Sequence, residues 1–555
     1  MCTKLLLLLR PRVIKIKTAH QSVPRTMDDD ETGPFQCVWS ESDGFHTATQ
    51  PLLQQQCARA DHGGDAGCLV YLVLAAGWAY NSVVRARELH RIRAAEAAGN
   101  ALAFLYPNVD DLEHSAQAKL LRVSVVMPLK GFGEHNLSNW RSQVLSMYGG
   151  PLEFLFVVES KEDPACEVIL QLMRDLKGEV DAKLLVAGYS TTCSQKIHNQ
   201  LAGVDAMHKD SKYVLFLDDD VQLCPGSIGA LVAHMIEHPE IFVLTGYPFD
   251  LPSGSISSYC IYEYHLPCSI GFGFGRTFFL WGGCMMMHAE DFRTDRYGMV
   301  TGLREGGYSD DMTLAAVAGA NQRVISSPER AIFFHPLAKD LSFSRYWNYL
   351  QKQTIVLETY NTTYNYWMNR GLFFLHCWAS WSFVFPYLTS CVHLLVAMRM
   401  LMGASAELYS SWTTGLWLTG CIATATLIEL SSMRHLSTVV IDLINALSPG
   451  KDPVSISSYN YVKVFVAGIV GNFLYPVSAV YSHVFQHIDW AGVQYWLGNG
   501  NICQIQRGSR RWRVVESSKS GWSTEEIHGQ FPNKSTVWTL LSDLLMNQSC
   551  KLKNS

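Results

Sequence analysis

The chain has 555 residues, which is enough for one globular domain with a full core and a second region. Its formal net charge of −5 gives no electrostatic case for nucleic acid, so we exclude that class of partner. Hydrophobic residues make up 48% of the chain and charged residues only 17%, so part of it is expected to lie in a lipid bilayer. The 15 cysteines are scattered without C-x-x-C pairs and are expected to be free thiols in a reducing compartment.

The N-terminal part of the chain contains one apolar segment. Residues 1–67 show no regular apolar period and are predicted to be a disordered extension. Residues 68–84 are apolar and just long enough to cross a bilayer, which predicts a transmembrane signal anchor; a buried soluble helix is the alternative. The arginines that follow place the next residues in the cytosol by the positive-inside bias. They are Arg85, Arg87, Arg91 and Arg93. Residues 85–121 are predicted to be a juxtamembrane linker.

Strand and helix patterns alternate over residues 122–336. Predicted strands lie at residues 123–128, 152–158, 182–186 and 212–217, and helical spacing occurs at 167–176. Such alternation predicts an α/β fold with a parallel or mixed sheet covered by helices on both faces, an architecture typical of nucleotide binding. We expect these residues to form one cytosolic domain.

Three consecutive carboxylates, Asp218 to Asp220, follow the fourth strand. Charges cannot lie inside such an apolar strand, and open α/β sheets bind their ligands at the carboxyl ends of the strands. Asp218 and Asp220 are two residues apart on an extended chain and point to the same side. Together they can hold one divalent cation, which would bind a diphosphate. A solvated acidic turn is the alternative.

Further polar residues suit other parts of a sugar-nucleotide transfer. Glu159 ends the second strand and can accept hydrogen bonds from the imide of a pyrimidine base. Lys196 and Asn199, one helical turn apart, can cover the base and the diphosphate. Asp311 follows a flexible glycine pair and can deprotonate an acceptor hydroxyl. Helix caps for the aspartates and a surface helix for the lysine are the alternatives.

The chain becomes strongly apolar after this domain. Residues 337–370 are predicted to be interfacial helices, in which Arg345, Trp347 and Lys352 can stabilise a departing diphosphate or form a snorkelling belt. Residues 371–487 are predicted to be transmembrane or re-entrant helices, with a soluble helical domain as the alternative. The predicted spans are 371–398, 412–430 and 461–485, whereas 436–447 is predicted to be interfacial or re-entrant. A strand segment at 488–513 and a polar tail at 514–555 complete the chain.

Several long passages resemble glycosyltransferases of families 2 and 21, most closely the plant-type ceramide glucosyltransferases. The passages are residues 123–137, 156–165, 194–203, 216–227, 273–293, 308–315 and 343–353. The resemblance covers roughly residues 68–507. It implies a GT-A-like, nucleotide-sugar-binding mixed sheet fused to transmembrane helices.

The family pattern has three acidic motifs and a final (Q/R)xxRW motif. The resemblance carries the second acidic motif onto Asp218 and the third, which supplies the catalytic base, onto Asp311. The first falls on Ser160, so the nucleotide-binding role is transferred to the neighbouring Glu159. The last motif reads Arg-Tyr-Trp, so Trp347 matches whereas Arg345 is displaced by one residue.

The resemblance implies inverting transfer of glucose from UDP-glucose to the primary hydroxyl of ceramide, with Mg²⁺ or Mn²⁺, at the ER or Golgi membrane with a cytosolic catalytic domain. Residues 271–283, rich in glycine and aromatic side chains, are expected to line the entry of the lipid; a buried strand pair is the alternative. Two other functions stay open. One is a polysaccharide synthase, although few spans are left to enclose a conduit, and the other is a non-catalytic lipid-binding membrane protein.

Overall fold

The computed structural model describes residues 49–105, 120–401, 408–517 and 521–526. The α-helices are α1 Thr49–Ala97, α2 Asn136–Val144, α3 Ala165–Asp175, α4 Gln195–Ala206, α5 Ser227–Glu237, α6 Ile256–His265, α7 Cys268–Gly271, α8 Ala289–Arg293, α9 Met299–Arg304, α10 Asp310–Ala320, α11 Phe343–Ile355, α12 Thr363–Leu401, α13 Leu408–Ala446 and α14 Tyr461–Phe485. The strands are β1 Val123–Pro128, β2 Leu152–Val158, β3 Ala182–Val186, β4 Tyr213–Leu217, β5 Ile241–Thr245, β6 Tyr247–Leu251, β7 Gly275–Thr277, β8 Cys284–His288, β9 Val324–Ser327, β10 Ile332–Pro336, β11 His487–Trp490, β12 Val493–Gly498, β13 Asn501–Arg507, β14 Arg510–Ser517 and β15 Gly521–Glu526.

Eight strands form one mixed sheet, in the order β3-β2-β1-β4-β8-β5-β9-β7. β1 lies between β2 and β4 and is parallel to both, whereas β8 runs antiparallel to β4. The carboxyl ends of β1, β2 and β4 therefore meet at one edge, where polar residues follow each strand. This sheet, with apolar helices joined to it, confirms the predicted α/β fold class. We refer to residues 120–336 as the sheet domain.

The central strands are buried on both faces. Val125, Phe154 and Leu215 contribute to one apolar cluster, whereas Val126 and Phe216 contribute to another. Alternate residues of a strand point to opposite faces, so each face needs its own apolar partner layer. Parallel strands of this kind appear in the sequence as continuous apolar runs, which is why these strands were predictable.

The first helix is longer than the predicted anchor. α1 begins at Thr49, so the later part of the predicted disordered extension is helical, and residues 1–48 lie outside the described residues. In the second half of α1, Trp78 Nε1 donates to Leu266 O (3.3 Å), and Arg85 donates to Phe272 O (3.0 Å). The predicted signal anchor is thus part of a longer helix that packs against the sheet domain. Residues 106–119 of the predicted linker also lie outside the described residues.

Four helices are long and apolar enough to cross a membrane: Cys68–Ala97, Thr363–Met398, Gly415–Ala446 and Tyr461–Phe485. The expectation that residues 436–447 form a separate interfacial element is wrong, because α13 is continuous through them. No proline or glycine interrupts the sequence there, and Arg434 lies 5.5 Å from the ring centroid of Tyr459, which accommodates its charge. The end of α13 reaches the sheet domain, where Ser437 Oγ lies 2.8 Å from Tyr262 OH.

The last long helix, α14, contacts the sheet domain and α11 along its length. Near its start, Lys463 Nζ donates to Gly254 O (2.5 Å), and in its middle Asn472 Nδ2 donates to a carboxylate oxygen of Glu263 (2.9 Å). Near its end, Ser482 Oγ lies 2.8 Å from Thr354 Oγ1 of α11. α14 therefore runs along α6 and α11, and it is long and apolar enough to cross a bilayer, as the sequence predicted. Hydropathy gives the length of an apolar helix but not its direction.

The strands after α14 form an antiparallel sheet, β11 to β15, which packs on the sheet domain. Tyr495 OH accepts a hydrogen bond from Gln195 N (3.1 Å), and Ile502 N donates to Gly306 O (2.8 Å). Arg507 Nη1 lies 3.0 Å from Glu159 Oε2. We call β11 to β14 the C-terminal strands. They contain most of the predicted segment 488–513, and part of the predicted polar tail extends them as strand.

These contacts predict on which side of the membrane the chain ends. Because the C-terminal strands touch the sheet domain, we expect the tail to lie on the same side as that domain. Two glycosylation sequons, at Asn533 and Asn547, lie in the tail outside the described residues. Expression in microsomes is expected to leave both unmodified. A mobility shift that endoglycosidase removes, and that the Asn533→Gln, Asn547→Gln double variant lacks, would place the tail in the lumen.

Candidate active site

Lys196 lies at the centre of a cluster of carboxylates at the carboxyl edge of the sheet. It stands in the first turn of α4, which begins after Ser194, whose hydroxyl accepts from Ile197 N. Its Nζ lies 2.9 Å from Asp218 Oδ1 and 3.1 Å from Asp310 Oδ2, and it donates to Gly282 O at 3.1 Å. Burial opposes the charged form of Lys196, but Asp218 and Asp310 outweigh it and raise its pKa. The lysine thus joins the two predicted acidic motifs.

Asp218 occupies the position that the strand pattern predicted. It follows β4 directly, and its backbone N–H donates to Gly283 O at 2.9 Å. Burial raises the pKa of the Asp218 carboxyl to about 6, although the neighbouring Lys196 counteracts the shift. The Asp218 carboxyl is therefore mostly ionised at neutral pH, although burial disfavours its negative charge. An additional positive charge nearby would stabilise it.

Asp310 and Asp311 lie at the start of α10 and have different surroundings. Asp310 is buried, and its Oδ2 accepts from Gln200 Nε2 at 2.6 Å as well as from Lys196. Asp311 is half-buried; its Oδ1 accepts from Ser309 Oγ and from Met312 N at 2.7 Å. Burial and the charge of Asp310 raise the pKa of Asp311. Asp311 is thus the more open of the two carboxylates and the better placed to take a proton.

Gly282 lies in close contact with Lys196, Asp310 and Asp311. A Cβ atom at this position would lie 3.0 Å from Asp310 Oδ1, 3.3 Å from Lys196 Nζ and 3.4 Å from Asp311 Oδ2. The space beside Asp311 therefore exists because residue 282 has no side chain. The same distances show that Asp311 Oδ2, which none of the hydrogen bonds above occupies, faces the cluster.

Asp220 belongs to a second group of side chains that the sequence did not predict. Its Oδ2 lies 3.2 Å from His335 Nε2, and the Nδ1 of that ring lies 2.5 Å from Asp250 Oδ1. Asp250 also binds His265 Nδ1, and the other nitrogen of His265 binds Tyr349 OH. These residues form a hydrogen-bonded chain from α11 to the acidic triplet. The members are far apart in sequence, and no spacing pattern could have revealed them.

Asp250, His265 and His335 present ligand atoms within 4.8 Å of one another, as the ligands of a metal ion would be. Two ligands of one zinc ion, each about 2.0–2.1 Å from the metal, are roughly 3.3 Å apart. The 2.5 Å separation of His335 Nδ1 and Asp250 Oδ1 is too short for that and fits a hydrogen bond. Burial opposes a charge on His335, but Asp220 and Asp250 outweigh it and raise its pKa well above the usual value. His335 is therefore a fixed cation beside Asp220.

Helix α11 places Lys352, and not Arg345, near the carboxylates. Burial and Lys196 lower the pKa of Lys352, whereas Asp218 and Asp220 oppose this shift. Its Nζ lies 3.9 Å from the ring centroid of Trp490 in the C-terminal strands. Arg345 is exposed, and its side chain makes no hydrogen bond or ion pair with the described residues.

The predicted catalytic role of Arg345 is therefore not matched by its position. Arg345 lies in the first turn of α11, about 10 Å along the helix axis from Lys352 at 1.5 Å per residue. Trp347 is half-buried and packs against the apolar core beside α11. The displacement of the arginine by one residue turns it to solvent, and Tyr346 points inward in its place.

Two other predicted ligand residues are engaged inside the fold. The carboxylate of Glu159 is paired with Lys130 through one oxygen and with Arg507 through the other, at 3.0 Å. Asn199 is only 2% exposed; its Nδ2 donates to Val157 O (3.2 Å), and its Oδ1 accepts from Gln195 Nε2 (2.7 Å). Both side chains therefore have partners inside the fold, and their role in binding a nucleotide stays a prediction. Both the ion pair and the amide contacts depend on packing that a local pattern does not show.

Comparison with known proteins defines the class. Residues 94–259 match the model of glycosyl transferase family 21. The chain is a glycosyltransferase with four helices long and apolar enough to cross a membrane. The matched residues include Lys196, Asp218 and Asp220, so this part of the chain is similar to the family that the motifs predicted.

One solved structure that the comparison matches is the mannosyltransferase PcManGT from Pyrobaculum calidifontis in complex with GDP-Man and Mn²⁺. It is 10% identical, with a TM-score of 0.35, over 67% of this chain and 98% of that chain. No curated protein sequence matches the chain at a significant level.

Proposed function

We propose that the protein transfers glucose from UDP-glucose to the primary hydroxyl of ceramide, with inversion at the anomeric carbon. The observation that carries the proposal is the convergence of Asp311, Lys196 and Asp218 around Gly282, at the carboxyl edge of the sheet. This edge is where α/β sheets bind nucleotides. The motifs that resemble ceramide glucosyltransferases supply the identity of the donor and acceptor.

Asp311 acts as the general base in the proposed reaction. Its carboxylate takes the proton of the acceptor hydroxyl while the oxygen attacks the anomeric carbon of glucose and the bond to UDP breaks. Inversion follows from this single in-line displacement. The raised pKa of Asp311 brings the base closer to neutral pH, which favours proton transfer in the transition state. Lys196 and Lys352 present positive charge on the side where the diphosphate leaves.

A divalent cation such as Mg²⁺ or Mn²⁺ fits the charge of the site. Among the described residues, five carboxylates face three cations, so negative charge is in excess. The carboxylates are Asp218, Asp219, Asp220, Asp310 and Asp311, and the cations are Lys196, His335 and Lys352. Asp218 and Asp220 would hold the ion, since the Asp220 side chain is 55% exposed and one of its oxygens is outside the His335 pair. When bound, such an ion supplies charge that offsets the leaving diphosphate.

The segment at residues 271–283 supports a lipid as the acceptor. Near its start, Phe274 stacks on Tyr80 of α1, with ring centroids 4.9 Å apart. In its middle, the Phe278 side chain is 67% exposed, and at its end Gly282 lies among the catalytic carboxylates. The segment thus leads from an apolar helix to the site along an aromatic surface. This is the route that an acceptor held in a bilayer requires.

A transfer assay tests the proposal. Membranes that contain the protein are incubated with labelled UDP-glucose and a short-chain fluorescent ceramide, and the products are separated into organic and aqueous phases. A labelled glycolipid that Asp311→Asn membranes do not form is the expected result. A labelled aqueous polymer would instead favour a polysaccharide synthase. No transfer to any acceptor by folded protein would overturn the proposed enzyme activity.

Removal of divalent ions is expected to abolish transfer, with recovery on addition of Mg²⁺ or Mn²⁺. For the same reason, Asp218→Ala and Asp220→Ala are expected to weaken binding of UDP-glucose, because each removes one proposed ligand of the cation. Asp181→Ala, an exposed carboxylate at the start of β3, is the matched control. Full activity in excess chelator would contradict the assignment of the cation to Asp218 and Asp220.

A further inference from the structure

A small polar cavity lies between α6, α11, α12 and α14, apart from the carboxylate cluster. Its volume is about 30 Å³, and its walls include Glu263, Tyr346, Ser380 and Asn472. Two of the four helices, α12 and α14, are among those long and apolar enough to cross a membrane. Polar side chains in such surroundings are costly and commonly have a functional role.

Two hydroxyl groups in the cavity wall lack strong hydrogen-bond partners. Tyr346 and Ser380 are each 1% exposed; Ser380 Oγ has no hydrogen-bond partner among the described residues, and Tyr346 OH has only the weakly polar Cys260 thiol beside it. A buried polar group without a partner costs about 1–3 kcal/mol, so native proteins normally pair such groups with protein, water or a ligand. Both hydroxyls line the same space, which indicates that the space receives a hydrogen-bonding group.

Gly471 keeps this space open. A Cβ atom there would lie 2.9 Å from Glu263 Oε2 and 3.5 Å from Tyr346 OH. The other oxygen of Glu263 accepts from Asn472 Nδ2 at 2.9 Å. Burial raises the pKa of Glu263 to about 8, although the Asn472 bond opposes the shift, so its carboxyl is mostly protonated and uncharged at neutral pH. The cavity therefore offers hydrogen-bond donors and acceptors without a net charge.

The cavity and the candidate active site are joined by helix α11. Tyr346, Tyr349 and Lys352 lie three residues apart on one face of α11, so the cavity is roughly 9 Å along that helix from the lysine near the carboxylates. Tyr264, which also lines the cavity, has its pKa raised by burial and, to a smaller extent, by Asp311. On the outer side, the aromatic side chains of Phe374 and Trp378 on α12 are exposed. The cavity thus adjoins α12, which carries exposed aromatic side chains, on one side and α11, which carries Lys352, on the other.

We propose that the cavity binds an uncharged hydroxyl or amide group of the acceptor lipid and so positions that lipid for attack; this inference rests on the proposed function. The volume admits one small polar group in place of about one water molecule. A phosphate would bring a charge into an apolar site that offers no fixed cation, and this cost excludes phospholipid head groups. Neutral lipids with an amide or a free hydroxyl, such as ceramide, satisfy Tyr346 and Ser380 without that cost.

Three substitutions test the cavity directly. Tyr346→Phe and Ser380→Ala each remove one hydroxyl, and Gly471→Ala fills the space. Each is expected to raise the KM for short-chain ceramide about three- to tenfold, as the loss of one hydrogen bond implies, and to leave the KM for UDP-glucose unchanged. Tyr364→Phe and Gly420→Ala are matched controls, because Tyr364 is exposed and nothing lies within 4 Å of a Cβ atom at Gly420.

A direct measurement of ceramide binding tests the cavity independently of glucose transfer. The Kd of fluorescent short-chain ceramide is measured on the detergent-solubilised full chain, with thermal unfolding of each variant measured in parallel. Weaker binding by the three variants and not by the controls supports the cavity even if glucose transfer fails. Unchanged ceramide KM and Kd, with or without a change in unfolding temperature, would mean that the cavity holds a structural water only. Equal changes in the KM of donor and acceptor would also overturn the proposal.

Discussion

Asp311→Asn is expected to lower glucose transfer by roughly 10²–10⁴-fold and to leave binding of UDP-glucose largely intact. The amide has nearly the shape of the carboxylate but cannot take the proton of the acceptor hydroxyl. Its oxygen can still accept from Met312 N and Ser309 Oγ, so the start of α10 is retained. Single-turnover transfer to short-chain ceramide and equilibrium binding of UDP-glucose measure the two effects separately.

The matched control for this variant is Asp205→Asn. Asp205 is an exposed carboxylate on α4, and we expect its replacement to leave both measurements unchanged. If folded Asp311→Asn protein loses nucleotide binding, Asp311 belongs to the donor site and not to the base. Wild-type transfer rates in that variant would remove Asp311 from the mechanism.

Gly282→Val is expected to lower transfer by about 10²-fold or more without unfolding the protein. Even a Cβ atom at this position would come within 3.4 Å of Asp310, Lys196 and Asp311, so the branched side chain displaces at least one of them. Misplacement of reacting groups by about 1 Å can reduce a rate by this factor. The side chains that must move are polar and lie at the carboxyl edge of the sheet, outside its apolar core.

Gly319→Val, in the last turn of α10, is the control for an added side chain, because nothing lies within 4 Å of a Cβ atom there. Its transfer rate and unfolding temperature are expected to stay near those of the native protein. Native activity in folded Gly282→Val protein would show that the approach of Lys196 and Asp311 is not required for transfer.

The position of the candidate site at the carboxyl edge of the sheet could be predicted because its signals are local. An apolar run that ends in carboxylates marks both the buried strand β4 and its exposed end at Asp218. Lys196 was predicted to face a diphosphate, and the structure adds that it bridges Asp218 and Asp310. The buried, lysine-bound role of Asp310 was missed, since neighbouring aspartates at a helix start look alike in a sequence.

The parts that could not be predicted depend on distant residues. Glu159 ends a strand as a ligand should, but Arg507, 348 positions later, occupies its carboxylate. The hydrogen-bonded series from Tyr349 to Asp220 joins five separate segments, and no periodic pattern encodes such a meeting. Hydropathy likewise found α14 but not its course along α6 and α11, because an apolar helix can face either lipid or protein.

The C-terminal strands have a consequence for biosynthesis. A ribosome delivers the chain from its N-terminus, and domains generally begin to fold in that order. Here Glu159 obtains its partner Arg507, and Lys352 its stacking partner Trp490, only after all the long apolar helices have been made. If the sheet domain folds before the rest of the chain is made, the buried Glu159 carboxylate has only one of its two cationic partners. The carboxylate cluster and its surroundings are therefore completed last, after all the long apolar helices have been made.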